Sequence, residues 1–272
     1  MSRIDRCEPD VVFVKLGGSL ITDKGRPYTP RTAVIARLAR EVRMCLDQQA
    51  GLGLLLGHGS GSFGHRAAEP YATREGVATP AEWRGFAEVA RAAARLNRIV
   101  TDAFLEAGVP VLSLQPSASA RCRDGELVGL SVDPIRRSLE HGLVPMVYGD
   151  VAMDDLRGGT IASTEQLFVH LAHHLRPSRI LLLSQVRGVL DNHGRIVRKI
   201  TPRTHSQWRD ALSSSRTVDV TGGMADKVER MVKLVTQEPK IRVRVLTGDE
   251  PGLLTRVILG QELEAGTAIR SG

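Results

Sequence analysis

The stretch VVFVKLGGS, Val11–Ser19, decides how the rest of the sequence is read. Its opening residues are β-branched or aromatic, with no polar alternation. Such a run fits a strand buried on both faces, as in a parallel sheet. The glycine pair Gly17-Gly18 then ends the strand in a tight loop, where backbone N–H groups approach an anion closely. Lys15 adds a compact point charge beside that loop.

Working outward, the same alternation recurs. Arg31–Gln48 sets Val34, Ile35, Leu38, Val42, Cys45 and Leu46 on one helical face. Gly53–Leu56 reads as the next strand and runs into GHGSGSFGH, Gly57–His65. Ala81–Ala107 reads as two helical stretches carrying Phe86, Val89, Ala93 and Leu96 at helical spacing. Val109–Leu114 is a third strand, Ser117–Leu130 a hairpin, Ile135–His141 a short helix and Val144–Tyr148 a strand closed by Gly149-Asp150. Ser163–Leu175 is helical, Ile180–Leu183 a strand and Met224–Val235 a helix. Val243–Leu246, Leu253–Leu259 and Thr267–Ile269 follow as strand, helix and strand. Strands alternating with helices predict an α/β, three-layer αβα sandwich around a mainly parallel sheet. The glycine-rich elements all follow strands, so they gather at the carboxyl edge of that sheet, where ligands bind.

Composition narrows the function classes. The 272 residues are 42% hydrophobic and only 4% aromatic, so the core is built from aliphatic side chains. Formal net charge is +7. An arginine-rich solvated surface accounts for it, and an anionic small substrate suits it equally. Nucleic acid is not an expected partner, because the arginines are dispersed and stacking aromatics are few. Lys15, Lys24, Lys199, Lys227, Lys233 and Lys240 are the only lysines among 37 basic residues, and three of these lie in or beside glycine-rich motifs. Cys7, Cys45 and Cys122 are an odd, widely spaced set, which points to a reducing, cytoplasmic location rather than a disulfide framework. Met1–Asp10 is polar, and no run of 18 apolar residues occurs, so neither a signal peptide nor a membrane partner is expected.

Three motifs carry chemistry. KLGGS, Lys15–Ser19, lacks the P-loop spacing. GHGSGSFGH offers several N–H groups to one anion, with His65 as a further donor, whereas His58 follows the strand directly and packs locally. Its Gly59–Gly64 segment fits a dinucleotide fingerprint but lacks the acidic residue that reads a ribose. VDVTGGMADK, Val218–Lys227, sets Lys227 one helical turn beyond Gly222-Gly223, again an anion site. His170, His173 and His174 share one helix at a spacing zinc can use. No nearby carboxylate or cysteine completes a site, so no metal centre is assigned there.

Together, VKLGGSLITDK, GHGSGSFGH, LQPS (Leu114–Ser117), YGD (Tyr148–Asp150) and VDVTGGMADK resemble the amino-acid kinase superfamily, and within it the isopentenyl phosphate kinases. The resemblance covers nearly all of the sequence. It implies ATP-dependent phosphorylation of isopentenyl phosphate, with ATP and Mg²⁺ as cofactors and a homodimer as the assembly. It implies one domain over 1–272, with an acceptor-binding part at about 1–175 and a nucleotide-binding part at about 176–272. Lys15 resembles the lysine that grips the nucleotide phosphates, with Gly17 and Gly18 beside it, and Lys24 the one that stabilises the moving phosphoryl group. Gly59, Gly64 and His65 resemble the receptors of the substrate phosphate, and Ser60, Gly223 and Lys227 further nucleotide contacts.

The sequence departs from that family in two places. The aspartate of an SGD-type motif, which the resemblance implies orients the active-site lysines, is here Glu165, one methylene longer, and the glycine at the substrate phosphate is Thr164. Gln185 and Arg187 replace two acids beside the nucleoside. Phe86, Val89 and Ala93 either line an apolar acceptor cavity or simply pack in the core; helical spacing alone leaves both readings open. A kinase of another small phosphate or phosphonate, resembling fosfomycin kinase, is the alternative enzyme. A non-catalytic nucleotide-binding regulator is the alternative outside catalysis.

Overall fold

The computed structural model describes residues 10–208, 223–261 and 264–272, except for the side chain of His65. The apolar run Val11–Leu16 forms β1, wholly buried, at the middle of an eight-stranded sheet. It pairs in parallel with β2 (Gly53–His58) on one side and, on the other, with the strand Arg179–Ser184, which is β9 in the numbering below.

The elements run in chain order as follows. A short α1 (Gly18–Ile21) and α2 (Thr32–Gln48) separate β1 from β2, and α3 (Gly61–Ala68) and α4 (Pro80–Glu106) follow β2. Next come β3 (Val111–Ser113), β4 (Arg121–Arg123), β5 (Glu126–Gly129), α5 (Asp133–Glu140) and β6 (Val144–Tyr148). The chain continues through β7 (Asp150–Asp154), β8 (Gly158–Ala162), α6 (Thr164–Leu175), β9 and β10 (Lys199–Ile200). It ends with α7 (Gly223–Gln237), β11 (Arg242–Thr247), α8 (Leu253–Ile258) and β12 (Thr267–Ile269). The main sheet has the order β10-β12-β11-β9-β1-β2-β6-β3, with β12 antiparallel to β11.

Strand alternation divides the interior into two cores. Val12, Val14 and Leu16 face α2, α4 and α8, where Leu38, Leu96 and Leu254 pack. Val11 and Phe13 face the opposite core, with Phe168 of α6 and Val232 of α7. The Phe13 and Phe168 rings meet edge to face at 5.2 Å, a preferred aromatic geometry. This is the three-layer αβα arrangement expected from the sequence.

Three features differ from expectation. Ala81–Ala107 is one continuous helix, α4, started by Pro80 at its first turn and by a Thr79–Glu82 capping box. Gly61–Ala68 of the glycine-rich segment is helix α3 rather than open loop, held by the fully buried Phe63. Packing of that side chain overrides the poor helix propensity of glycine. A second sheet, β5-β4-β7-β8, adds the hairpin Asp150–Ala162 to the expected hairpin at Ser117–Leu130. Among the described residues no helix is long and apolar enough to cross a membrane.

Candidate active site

The parallel neighbours β1 and β2 deliver their two glycine-rich turns to one edge of the sheet. The turns interlock. A Cβ on Gly18 would lie 2.5 Å from the Gly61 backbone nitrogen, so only glycine permits this approach. Thr22 ties the pair together: its hydroxyl donates to the Gly18 carbonyl at 2.7 Å and accepts from the Ser62 N–H at 3.0 Å.

Above these turns opens a cleft of about 530 Å³. The alternation that sends Val14 and Leu16 to one core sends Lys15 to the α6 face. There its Nζ donates to Glu165 Oε1, both side chains being buried. Glu165 stands in the first turn of α6, whose start is fixed by a reciprocal Ser163–Gln166 capping box. Lys227 of α7 approaches the same carboxylate oxygen at 3.9 Å. Burial alone would raise the Glu165 carboxyl, but the Lys15 and Lys227 charges and the Lys15 hydrogen bond outweigh it and hold the group below the usual carboxylate range. Lys24 lines the cleft from an exposed turn between Thr22 and Pro30, which form an isolated antiparallel bridge.

The cleft therefore gathers Lys15, Lys24 and Lys227 with Gly17, Gly18, Gly59, Ser60, Thr164 and Glu165. Gly223 opens α7, one residue before the cleft-lining Met224. Residues 218–222 of VDVTGGMADK lie outside the described residues, as does the side chain of His65, whose backbone belongs to α3.

Other expected site residues stand elsewhere. Phe86 does not line the cleft. It is buried in the α4 core, edge to face with Trp83 at 5.3 Å and against Gly159, so its helical spacing reported packing. Val89 and Ala93 are buried on the same helix. Gly64 also lies outside the cleft lining; it gives room to the Ser60 side chain, which a Cβ there would meet at 2.1 Å. Gln185 and Arg187 line a separate cavity of about 590 Å³. In the amide orientation that satisfies both neighbours, Gln185 donates to the Ser19 carbonyl at 3.2 Å and accepts from Arg31 at 3.0 Å. Thr164 keeps its hydroxyl inward, donating to the His58 carbonyl at 2.7 Å.

His58 is structural, as its position after the strand suggested. It is fully buried, stacks on Tyr148 with centroids 5.5 Å apart, and contacts Asn97 at 3.1 Å. Burial lowers its pKa and keeps the ring neutral. On α6, His173 meets Glu238 at 3.3 Å while His170 and His174 lie ring to ring.

Sequence reading missed several cleft residues. Arg66 and Glu69 follow α3's glycines and lack any motif of their own. Ile161 comes from the unforeseen β8, and Leu182, Met224 and Val245 add further apolar wall. Four cationic side chains face two carboxylates across the cleft, an excess that attracts anions. With two interlocked glycine turns, this arrangement suits the alignment of two phosphorylated molecules.

Residues 10–247 match the amino acid kinase family. The isopentenyl phosphate kinase of Haloferax volcanii is 37% identical over 251 residues, 90% of this chain and 98% of that protein. That of Methanocaldococcus jannaschii is 32% identical over 258 residues, covering 92% and 96%. A crystallographic isopentenyl phosphate kinase superposes with a TM-score of 0.80 at 28% identity, covering 95% of this chain and 99% of the other. The chain belongs to the amino acid kinase family and, within it, to the isopentenyl phosphate kinases.

Proposed function

We propose that this chain transfers the γ-phosphoryl group of ATP to isopentenyl phosphate, giving ADP and isopentenyl diphosphate. An oxygen of the acceptor phosphate forms the new P–O bond as the bond from the γ-phosphorus to the β,γ-bridging oxygen breaks. The observation that carries this reading is the meeting of Lys15, Lys24 and Lys227 in one cleft, in a member of this family.

The acceptor's phosphate oxygen is already ionised near neutrality, so the site needs no strong general base. Its tasks are alignment and charge neutralisation. Lys15 and Lys227 hold the ATP phosphates, with Gly17, Gly18, Ser60 and Gly223 approaching through backbone. Lys24, on its exposed turn, meets the phosphoryl group in transit. Gly59 and His65 receive the acceptor phosphate. Glu165 keeps Lys15 and Lys227 charged and aimed until substrate arrives. Ile161 supplies apolar surface for the isopentenyl chain, the role first considered for Phe86.

Magnesium enters this reading as an ion carried by ATP. Glu165 is already engaged by two lysines, so the phosphate oxygens and water are the ligands that suit Mg²⁺ here. When bound, the ion neutralises charge on the β- and γ-phosphates. The acceptor side is assigned to about 1–175 and the nucleotide side to about 176–272, each supplying part of the cleft wall. Cytoplasmic location is supported by Cys45 and Cys122, free thiols that burial pushes up to about 11. The homodimer implied by family resemblance completes the reading, and sedimentation equilibrium measures it.

The test is a panel of phosphate and phosphonate acceptors with ATP and Mg²⁺, read as ADP release. Isopentenyl phosphate is expected to give the highest kcat/KM. Turnover of fosfomycin without turnover of isopentenyl phosphate would reverse the assignment.

A further inference from the structure

Two residues near Lys227 on α7, Asp226 and Arg230, lie outside the cleft and are both cross-linked to the preceding part of the molecule. Asp226 pairs with Arg74, from the segment before α4, at 3.6 Å. Arg230, one turn beyond Lys227, makes a two-pronged contact to Glu126 of β5, at 2.7 and 2.8 Å. Planar fork-to-carboxylate pairing of this kind fixes orientation as well as distance. Glu126 in turn faces the amide of Gln166 at 3.4 Å, and that amide donates to the Gly125 carbonyl at 2.7 Å. Gln166 is the capping residue next to Glu165.

A closed circuit results. One arm is Lys227–Glu165 within the cleft. The other is Arg230–Glu126–Gln166 outside it. Both connect the beginning of α7 to the beginning of α6. The cleft arm is long at 3.9 Å, whereas the outer arm is made by side chains that do not line the cleft, with Arg230 near enough to feel the Glu165 charge. We propose that the Arg230–Glu126 pair is a positioning latch: it holds the first turns of α7 so that Lys227 meets the donor phosphates, and so sets affinity for ATP without touching it.

This inference rests on the assignment of Lys227 to the nucleotide, and the experiment separates the two. Glu126 is 61% exposed at its side chain, so its substitution leaves the core intact. Steady-state kinetics with both substrates varied compare the wild type, Glu126→Gln, Arg230→Met and the exchanged pair Glu126→Arg with Arg230→Glu. Calorimetric titration with ATP gives Kd without need of turnover. Each single variant is expected to raise the KM and Kd for ATP about fivefold, the scale of one well-oriented exposed pair, with the acceptor KM and kcat nearly unchanged. The exchanged pair is expected to recover most of that loss, and the rise confined to the KM and Kd for ATP is the readout that a merely structural role does not predict. Wild-type affinity for ATP in Glu126→Gln, or equal rises in both KM values, overturns the latch. A wild type that neither binds ATP nor turns over overturns the functional assignment itself.

Discussion

Glu165 and Asp150 are both buried carboxylates at the carboxyl edge of the sheet, and their surroundings act on them in opposite directions. Burial works against charge on each. At Glu165 two ammonium groups outweigh it, and the acid stays ionised. At Asp150 burial prevails and pushes the carboxyl up, against the Ser117 side chain and the backbone N–H groups of Ser117 and Val151, the latter at 3.1 and 2.9 Å. The contrast teaches that depth does not make a functional acid. Glu165 is wired to cations that a substrate can borrow, whereas Asp150 ties the Pro116–Ala118 turn to the start of β7.

The comparison is broken most easily at Glu165. Glu165→Ala leaves Lys15 buried without its counter-charge, and urea denaturation is expected to show a loss of about 3–5 kcal/mol. A loss under about 1 kcal/mol would place the pair among surface contacts and remove the contrast. The effect depends on pH in a definite direction. Because the folded carboxyl lies below its ordinary 4.5, its contribution is fully present above that pH and is lost as pH falls through the folded pKa. Denaturation midpoints of wild type and Glu165→Ala are therefore expected to converge toward strongly acidic pH.

Asp150→Asn sharpens the comparison from the other side. The neutral amide keeps an acceptor for only one of the two backbone N–H groups and sets its NH2 against the other, so the expected loss is about 1–3 kcal/mol at neutral pH, the cost of one buried donor left unpaired. A loss as large as that of Glu165→Ala would show that Asp150 also relies on its charge. The smallest effect is that of His58. Its folded pKa lies below the ordinary 6.5, so stability is complete above that value and declines as pH falls toward the folded pKa. His58→Gln is expected to flatten the denaturation midpoint below about pH 6.5 by removing this single proton linkage.

The same two carboxylates show what sequence could and could not convey. VVFVKL announced the central strand because a strand covered on both faces has no polar alternation to hide it. The lysines stood out because they sit beside glycine pairs in an arginine-rich chain. Glu165 was legible as a carboxylate in a family motif, but its two ammonium partners come from residues 150 positions earlier and 62 positions later, distances no local pattern encodes. The second sheet escaped notice because Asp150–Asp154 is short and carries charge at both ends. Phe86 was placed on the correct helix and face, yet periodicity does not say what a face meets. Helix α3 was hidden by its own glycines, since its stability comes from Phe63 packing rather than from propensity.

Product analysis with ATP and isopentenyl phosphate, run side by side on the wild type and Lys24→Ala, bears most directly on the paired-phosphate cleft. The wild type is expected to form isopentenyl diphosphate and ADP in equal amounts. Lys24→Ala is expected to lose about 10²–10³-fold in kcat, the usual cost of removing one donor to transition-state charge, with both KM values little changed. Undiminished turnover in Lys24→Ala, or a wild type that leaves isopentenyl phosphate unconverted, would contradict the account.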